Sequence, residues 1–259
     1  MKHKRYFLQL SYNGTAYSGW QIQRNSPTTI QQVLNEMLSR LLNQAITVMG
    51  CGRTDTGVHA REYFAHFDTS VEDLIENQNH WILKFNHALP KDIAVQKIIK
   101  VNEKANARFD AVSRTYEYII TKKKNPFEID KATFLYGQLN IDAMNQAAQL
   151  LFEYSDFSAF AKSNTQNKTN LCNLYKAEWR EENDLLIFTI SANRFLRDMV
   201  RAIVGTMLKV GTSKITLEEF RKVIESKTRS NAGLSVPACG LYLIKIEYPD
   251  SVFVLLNDF

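Results

Sequence analysis

Apolar and polar residues alternate along KRYFLQLSY (4–12), the period of two expected of a half-buried strand. YNGTAYSGW (12–20) then reads as a turn and loop with aromatics near its ends. The period changes next: Ile30, Val33, Leu34, Met37, Leu38, Leu41 and Leu42 fall on one face of a helix, and Thr29 with Gln32 predicts a capping box at its start. ITVMG (46–50), EYFAHFDTS (62–70) and IAVQKIIKV (93–101) predict strands, with a ragged helix over VEDLIENQNHWILKFNHAL between the last two. These elements make a first α/β half, residues 1–105, with a boundary near residue 106.

The second half, 106–259, opens on a polar connection and a long alternating strand at 112–121. IDAMNQAAQLLF predicts a helix and LYKAEWREENDLLIFTISA a hairpin with its tip at 182–184. RFLRDMVRAIVGTMLKVG predicts one long amphipathic helix, TLEEFRKVIES a helix with Thr216 and Glu219 as its capping box, and GLYLIKIEY (240–248) a closing strand. The halves share a rough rhythm of strands and helices, but their sequences do not repeat.

Composition narrows the class. A chain of 259 residues that is 45% hydrophobic can bury one large core or two modest ones. A formal charge of +5 tilts it towards polyanionic partners. Cys51, Cys172 and Cys239 are odd in number and widely spaced, which argues against a disulfide framework or zinc ribbon and fits a reducing compartment. The opening residues alternate too early for a signal peptide, and no apolar run approaches the ~20 residues of a membrane span. The expectation is a cytoplasmic protein.

Candidate chemistry gathers in CGRTDTGVHA (51–60), at the end of a predicted strand. Asp55 is either a turn aspartate accepting backbone N–H groups or a reactive carboxylate kept ionised by an arginine. Arg53 is either a salt-bridge donor or a planar fork for a phosphate or base edge. Gly52 and Gly57 complete neither dinucleotide nor P-loop fingerprint, and His59 and His66 do not have metal-ligand spacing. Tyr116 and Tyr118 share one strand face, as sheet packing or as a platform for a nucleobase, and Arg114 lies two residues before Tyr116. Arg194, Arg197 and Arg201 lie along one side of the long predicted helix. They form a solvated stripe, or else Arg201 reaches a carboxylate while Arg194 and Arg197 meet phosphates. Lys122, Lys123 and Lys124 form either a solubilising turn or a wider nucleic-acid footprint, and no G-x-S-x-G elbow makes Ser155, Ser158 or Ser163 a nucleophile.

In combination, YNGTAYSGWQIQ, TTIQQVLNEML, GRTDTGVHA, ARFDAVSRTYEY, RFLRDMVR and GLYLIKIEY resemble the tRNA pseudouridine synthase A family across nearly the whole chain. The resemblance implies an α/β (α+β) enzyme of two domains, with mostly antiparallel mixed sheets joined across a central cleft and helices on the outer faces. It also implies a homodimer that binds the anticodon stem-loop of tRNA and isomerises uridines 38, 39 and 40 without cofactor or metal. By the same resemblance, Asp55 initiates N-glycosidic cleavage, Arg53 helps flip the nucleotide, Tyr116 stands against the base, Arg201 partners the carboxylate and Leu241 packs beside the uracil. Two positions depart from the family pattern: Asn13 stands where aspartate is more usual, and Cys172 where an arginine is expected nearby, in the segment 163–179.

Overall fold

The structure is a computed structural model that describes residues 3–23, 28–162 and 168–254. Contacts divide the chain into two compact units, one of Met1–Val112 with Leu243–Phe259, the other of Ser113–Tyr242. Both combine strands with outer helices, an α+β arrangement with a mixed sheet.

In the first unit β1 (Lys4–Tyr12) pairs antiparallel with β3 (His59–Thr69) on one side and β4 (Ile93–Lys100) on the other, and β9 (Leu241–Glu247), which belongs to this unit from Leu243 onwards, flanks β3. Alternation along β1 puts Tyr6, Leu8, Leu10 and Tyr12 into the core, while Phe7 points to the other face among Phe64, Tyr248 and Phe253. Helix α1 (Ile30–Leu42) buries Ile30, Leu34, Met37, Leu38 and Leu42. Only half of its expected capping box forms: Thr29 Oγ1 accepts from the Gln32 amide, but the Gln32 side chain donates to Glu36 instead. A cap contributes about 1 kcal/mol. Five buried apolar side chains contribute roughly 1.5–3 kcal/mol each, so burial holds this helix.

The expected strand at 46–50 shrinks to β2 (Met49–Gly50), which pairs with β3. Side chains of α1 take the backbone of 46–48 instead: Ser39 bonds both N–H and C=O of Ile46, Asn35 accepts from Val48 N, and Gln31 donates to Val48 O. The ragged helix is also shorter than its pattern. Asp73, in the turn before it, accepts from Asn77 and from Trp81 of the first helical turn, and α2 runs only over Gln78–Ala88, with Phe85 its one buried residue.

In the second unit β5 (Ser113–Thr121) pairs antiparallel with β8 (Leu185–Ala192), and β8 with β7 (Leu174–Glu182), closing the expected hairpin. A short β6 (Thr133–Phe134) adds a parallel pairing to β5. Helices α3 (Ile141–Leu150), α4 (Met199–Gly211) and α5 (Leu217–Glu225) pack on one another, α3 against β7 and α4 against β5. The capping box of α5 forms in full, with Thr216 and Glu219 bonded reciprocally.

The long helix expected from residue 194 is corrected. Helix α4 begins at Met199, because Asp198 takes a left-handed backbone (φ 68°) that no helix continues through. Arg194 and Arg197 therefore lie in the loop before α4, and of the three arginines only Arg201 is on it.

Candidate active site

Asp55 sits in the loop between β2 and β3, half-buried, with Arg53 exposed beside it. The Val58 amide donates to the Asp55 carbonyl (3.1 Å), and Gly57 at φ 78° supplies the positive dihedral this turn needs at its third residue. The loop rests in a cradle made by residues 12–20. Trp20 N donates to Thr54 O (3.1 Å), Tyr12 OH and Thr54 Oγ1 share a hydrogen bond of 2.8 Å, and Gly14 N donates to His59 Nδ1 (3.1 Å). Glycine is required at the two points of closest approach. A Cβ on Gly14 would lie 2.0 Å from Val58 O, and one on Gly19 2.4 Å from Thr54 O. Beneath the loop Tyr63 stacks on Trp20 (4.1 Å between centroids) and donates to Gly52 O. The cradle is itself pinned: Tyr17 OH donates to Asp92 (2.6 Å), and with burial this pushes the phenol above its ordinary value.

His59 and His66 each accept a backbone N–H on Nδ1, from Gly14 and Ala107 respectively. Burial and the positive charge of Arg5 hold His66 down to about 4, so it is a neutral acceptor at neutral pH. Among the described residues no group of three or more His, Cys, Asp and Glu is placed to hold a metal ion.

In the second unit Tyr116 is half-buried on β5, edge-on to Phe195 (5.1 Å, 88°). Tyr118, on the same strand face, is fully buried with its hydroxyl bonded to Thr133 and donating to Pro237 O, so of the pair it is the packing residue. Arg114 donates to Asn193 O (2.9 Å). Leu241 begins β9 and is 6% exposed. Arg194 is half-buried and Arg197 exposed. Burial raises the thiol of Cys172 to about 11, partly offset by the charge of Arg194. Residues 163–167 of the same segment, Ser163 among them, lie outside the described residues.

Arg201 is anchored twice. Its Nε donates to Val236 O (2.7 Å) and its Nη1 pairs with Asp198 Oδ1 (3.2 Å). The other carboxylate oxygen of Asp198 accepts from Ser235, which also accepts from Arg229 (2.8 Å). Asp198, Ser235 and Arg229 are absent from the sequence reading. Their separation along the chain hides them, and the apolar pattern places Asp198 inside the long helix expected from residue 194. Two of the three basic residues at 122–124 are already committed: Lys122 pairs with Glu181 and Lys123 with Asp184 (2.9 Å), both on the β7–β8 hairpin.

A family model described as tRNA pseudouridine synthase matches residues 147–249. The tRNA pseudouridine synthase A of Parabacteroides distasonis is 49% identical over 96% of this chain and 98% of its own length. That of Bacteroides thetaiotaomicron is 47% identical over 96% and 93%, and that of Francisella tularensis subsp. novicida 38% identical over 96% of both. With identity this high over almost the whole length of each protein, the chain belongs to the tRNA pseudouridine synthase A family.

Proposed function

We propose that this chain isomerises uridine to pseudouridine at positions 38, 39 and 40 in the anticodon stem-loop of tRNA, with Asp55 initiating cleavage of the N-glycosidic bond. The observation that carries the reading is the turn of Asp55: a half-buried carboxylate on a loop whose backbone is fixed by Gly14, Gly19 and Tyr12. Such a loop presents a reacting group without the ordering cost of a mobile one.

The chemistry breaks N1–C1′, turns the uracil and joins C5 to C1′; the C5 proton is lost and N1 gains one, so atoms and electrons balance within the nucleoside. No oxidant or group donor enters, which is why the reading requires no cofactor. A carboxylate can begin this by attacking C1′, by removing the C2′ proton, or by adding at uracil C6. The target nucleotide must first leave its stack, at a cost of a few kcal/mol. Arg53 assists that eversion, Tyr116 and Leu241 keep the detached base in place, and Arg201 keeps the reacting carboxylate charged. Arg114, Arg194 and Arg197 contact substrate phosphates, a salt-dependent contribution to binding. A homodimer with a cleft for the stem-loop, resident in the cytoplasm with its tRNA, completes the reading. Light scattering that returns a monomer mass at micromolar concentration would contradict the dimer.

The test is to map pseudouridine in tRNA incubated with wild type and D55A. Wild type converts the target uridines at unchanged RNA mass, and D55A binds but does not convert. Wild-type turnover by D55A removes Asp55 from its role. Binding without conversion by wild type leaves an RNA-binding protein, and release of free uracil indicates a hydrolase.

A further inference from the structure

We propose that Asp198 is a positioning residue for the reaction, fixing the guanidinium of Arg201 and fixed in turn by Ser235 and Arg229. The proposal rests on reading Arg201 as the cation that serves the reacting carboxylate. An aspartate immediately before a helix ordinarily accepts an N–H from the first turn. Asp198 makes no such bond, and its backbone is left-handed (φ 68°), a region that aspartate enters less freely than glycine. A carboxylate that gives up its cap finds partners elsewhere, and that of Asp198 is held by Arg201 and Ser235.

One carboxylate oxygen pairs with Arg201 Nη1 at 3.2 Å, while Arg201 Nε donates to Val236 O at 2.7 Å. The guanidinium is a rigid planar fork, so two contacts on different nitrogens determine both its plane and the direction of its remaining amine. The second carboxylate oxygen accepts from Ser235 Oγ and lies 3.8 Å from Arg229 Nη2. Arg229 is braced by Ser235 Oγ and by Gly233 O at 3.0 Å. The segment carrying these groups lies tight along α4. Gly233 N donates to Thr206 Oγ1 (2.8 Å), Val236 N to Arg201 O (3.3 Å), and a Cβ on Gly205 would meet Leu234 O at 1.9 Å. Asp198 and both arginines have side chains only 16–22% exposed, where water screens their interaction weakly. The closed chain from Arg201 through Asp198 and Ser235 to Arg229 thus sets the direction of one functional side chain.

Single-turnover and steady-state kinetics on an anticodon stem-loop RNA test this in D198N, D198G, S235A, R201K and the double variant D198N/R201K. Asparagine keeps the shape of aspartate and tolerates the left-handed region. D198N is expected to lose about tenfold or more in kcat with KM within about threefold and an unchanged melting temperature, because orientation for the reacting step is lost and binding is not. S235A is expected to lose about threefold, and the double variant to be no slower than R201K alone. Wild-type kcat in D198N beside a crippled R201K overturns the role of Asp198 and leaves that of Arg201 standing. Wild-type kcat in R201K overturns both. Should D198N lose stability and kcat together, D198G decides: glycine relieves the backbone, so recovered kcat means that only conformation mattered and overturns the proposal, whereas continued loss supports it.

Discussion

Each of the two units ends in a strand whose outward backbone is closed by an asparagine from a helix. In the first, Asn86 of α2 donates to Val95 O (2.8 Å) and accepts from Val95 N (2.7 Å) on β4. In the second, Asn145 of α3 donates to Trp179 O (3.2 Å) and accepts from Trp179 N (2.8 Å) on β7. An open edge invites pairing with another chain, and a side-chain amide that mimics a neighbouring strand blocks it. The helices differ in what else holds them. Helix α3 buries Met144, Ala147 and Ala148, whereas α2 buries Phe85 alone. The same device therefore carries more of the docking in the first unit. The candidate site residues are likewise flanked by glycine contacts in both units, loop against loop at Gly14 and loop against helix at Gly205.

The largest expected effects probe those contacts. G14A forces a methyl group to within 2.0 Å of Val58 O, a fixed backbone atom, and G205A does the same at 1.9 Å from Leu234 O. Each is expected to lose about 3 kcal/mol in denaturant titration. G14A should abolish conversion by displacing the Asp55 turn. G205A should leave that turn intact while slowing turnover through the clasp on Arg201. Equal losses of activity at wild-type stability in both would erase the contrast.

Acid comes next and separates the units, because all five histidines lie within residues 1–112. Burial lowers His66 from 6.5 to about 4, so the unfolded chain binds a proton that the folded one does not. Its contribution is complete above pH 6.5 and is lost progressively as pH falls to about 4, at most about 3 kcal/mol in all. Hydrogen exchange at pH 5 should show the strands around β3 opening before the β7–β8 hairpin. H66N, which offers Ala107 N an uncharged acceptor, should flatten that dependence. A dependence unchanged in H66N assigns the acid sensitivity elsewhere.

The smallest effects test the edges. N86A strands two backbone groups that water can partly reach, and is expected to cost about 1–2 kcal/mol. N145A should cost less, with α3 still anchored by its buried face. The reverse order in chemical denaturation would show that the burial difference between the helices does not decide their docking.

The period of apolar residues alone was enough for β1, α1, the β7–β8 hairpin and α5, because burial of one face depends on local spacing. GRTDTGVHA was legible for a similar reason: glycines around a charged pair advertise a loop that must turn sharply. Segment 46–48 has a strand's composition, yet lies against α1 because Ser39, Asn35 and Gln31 satisfy its backbone, which no local pattern encodes. RFLRDMVR has a helix's composition, yet breaks at Asp198 because Arg201, Ser235 and Arg229 gather on that carboxylate from positions up to 37 residues away. Sequence determined which stretches could bury a face and which residue types were available for chemistry. Tertiary structure decided which backbone groups needed side-chain partners and where the arginines lie, since hydrogen bonds and ion pairs are settled between segments that meet only once the chain is folded.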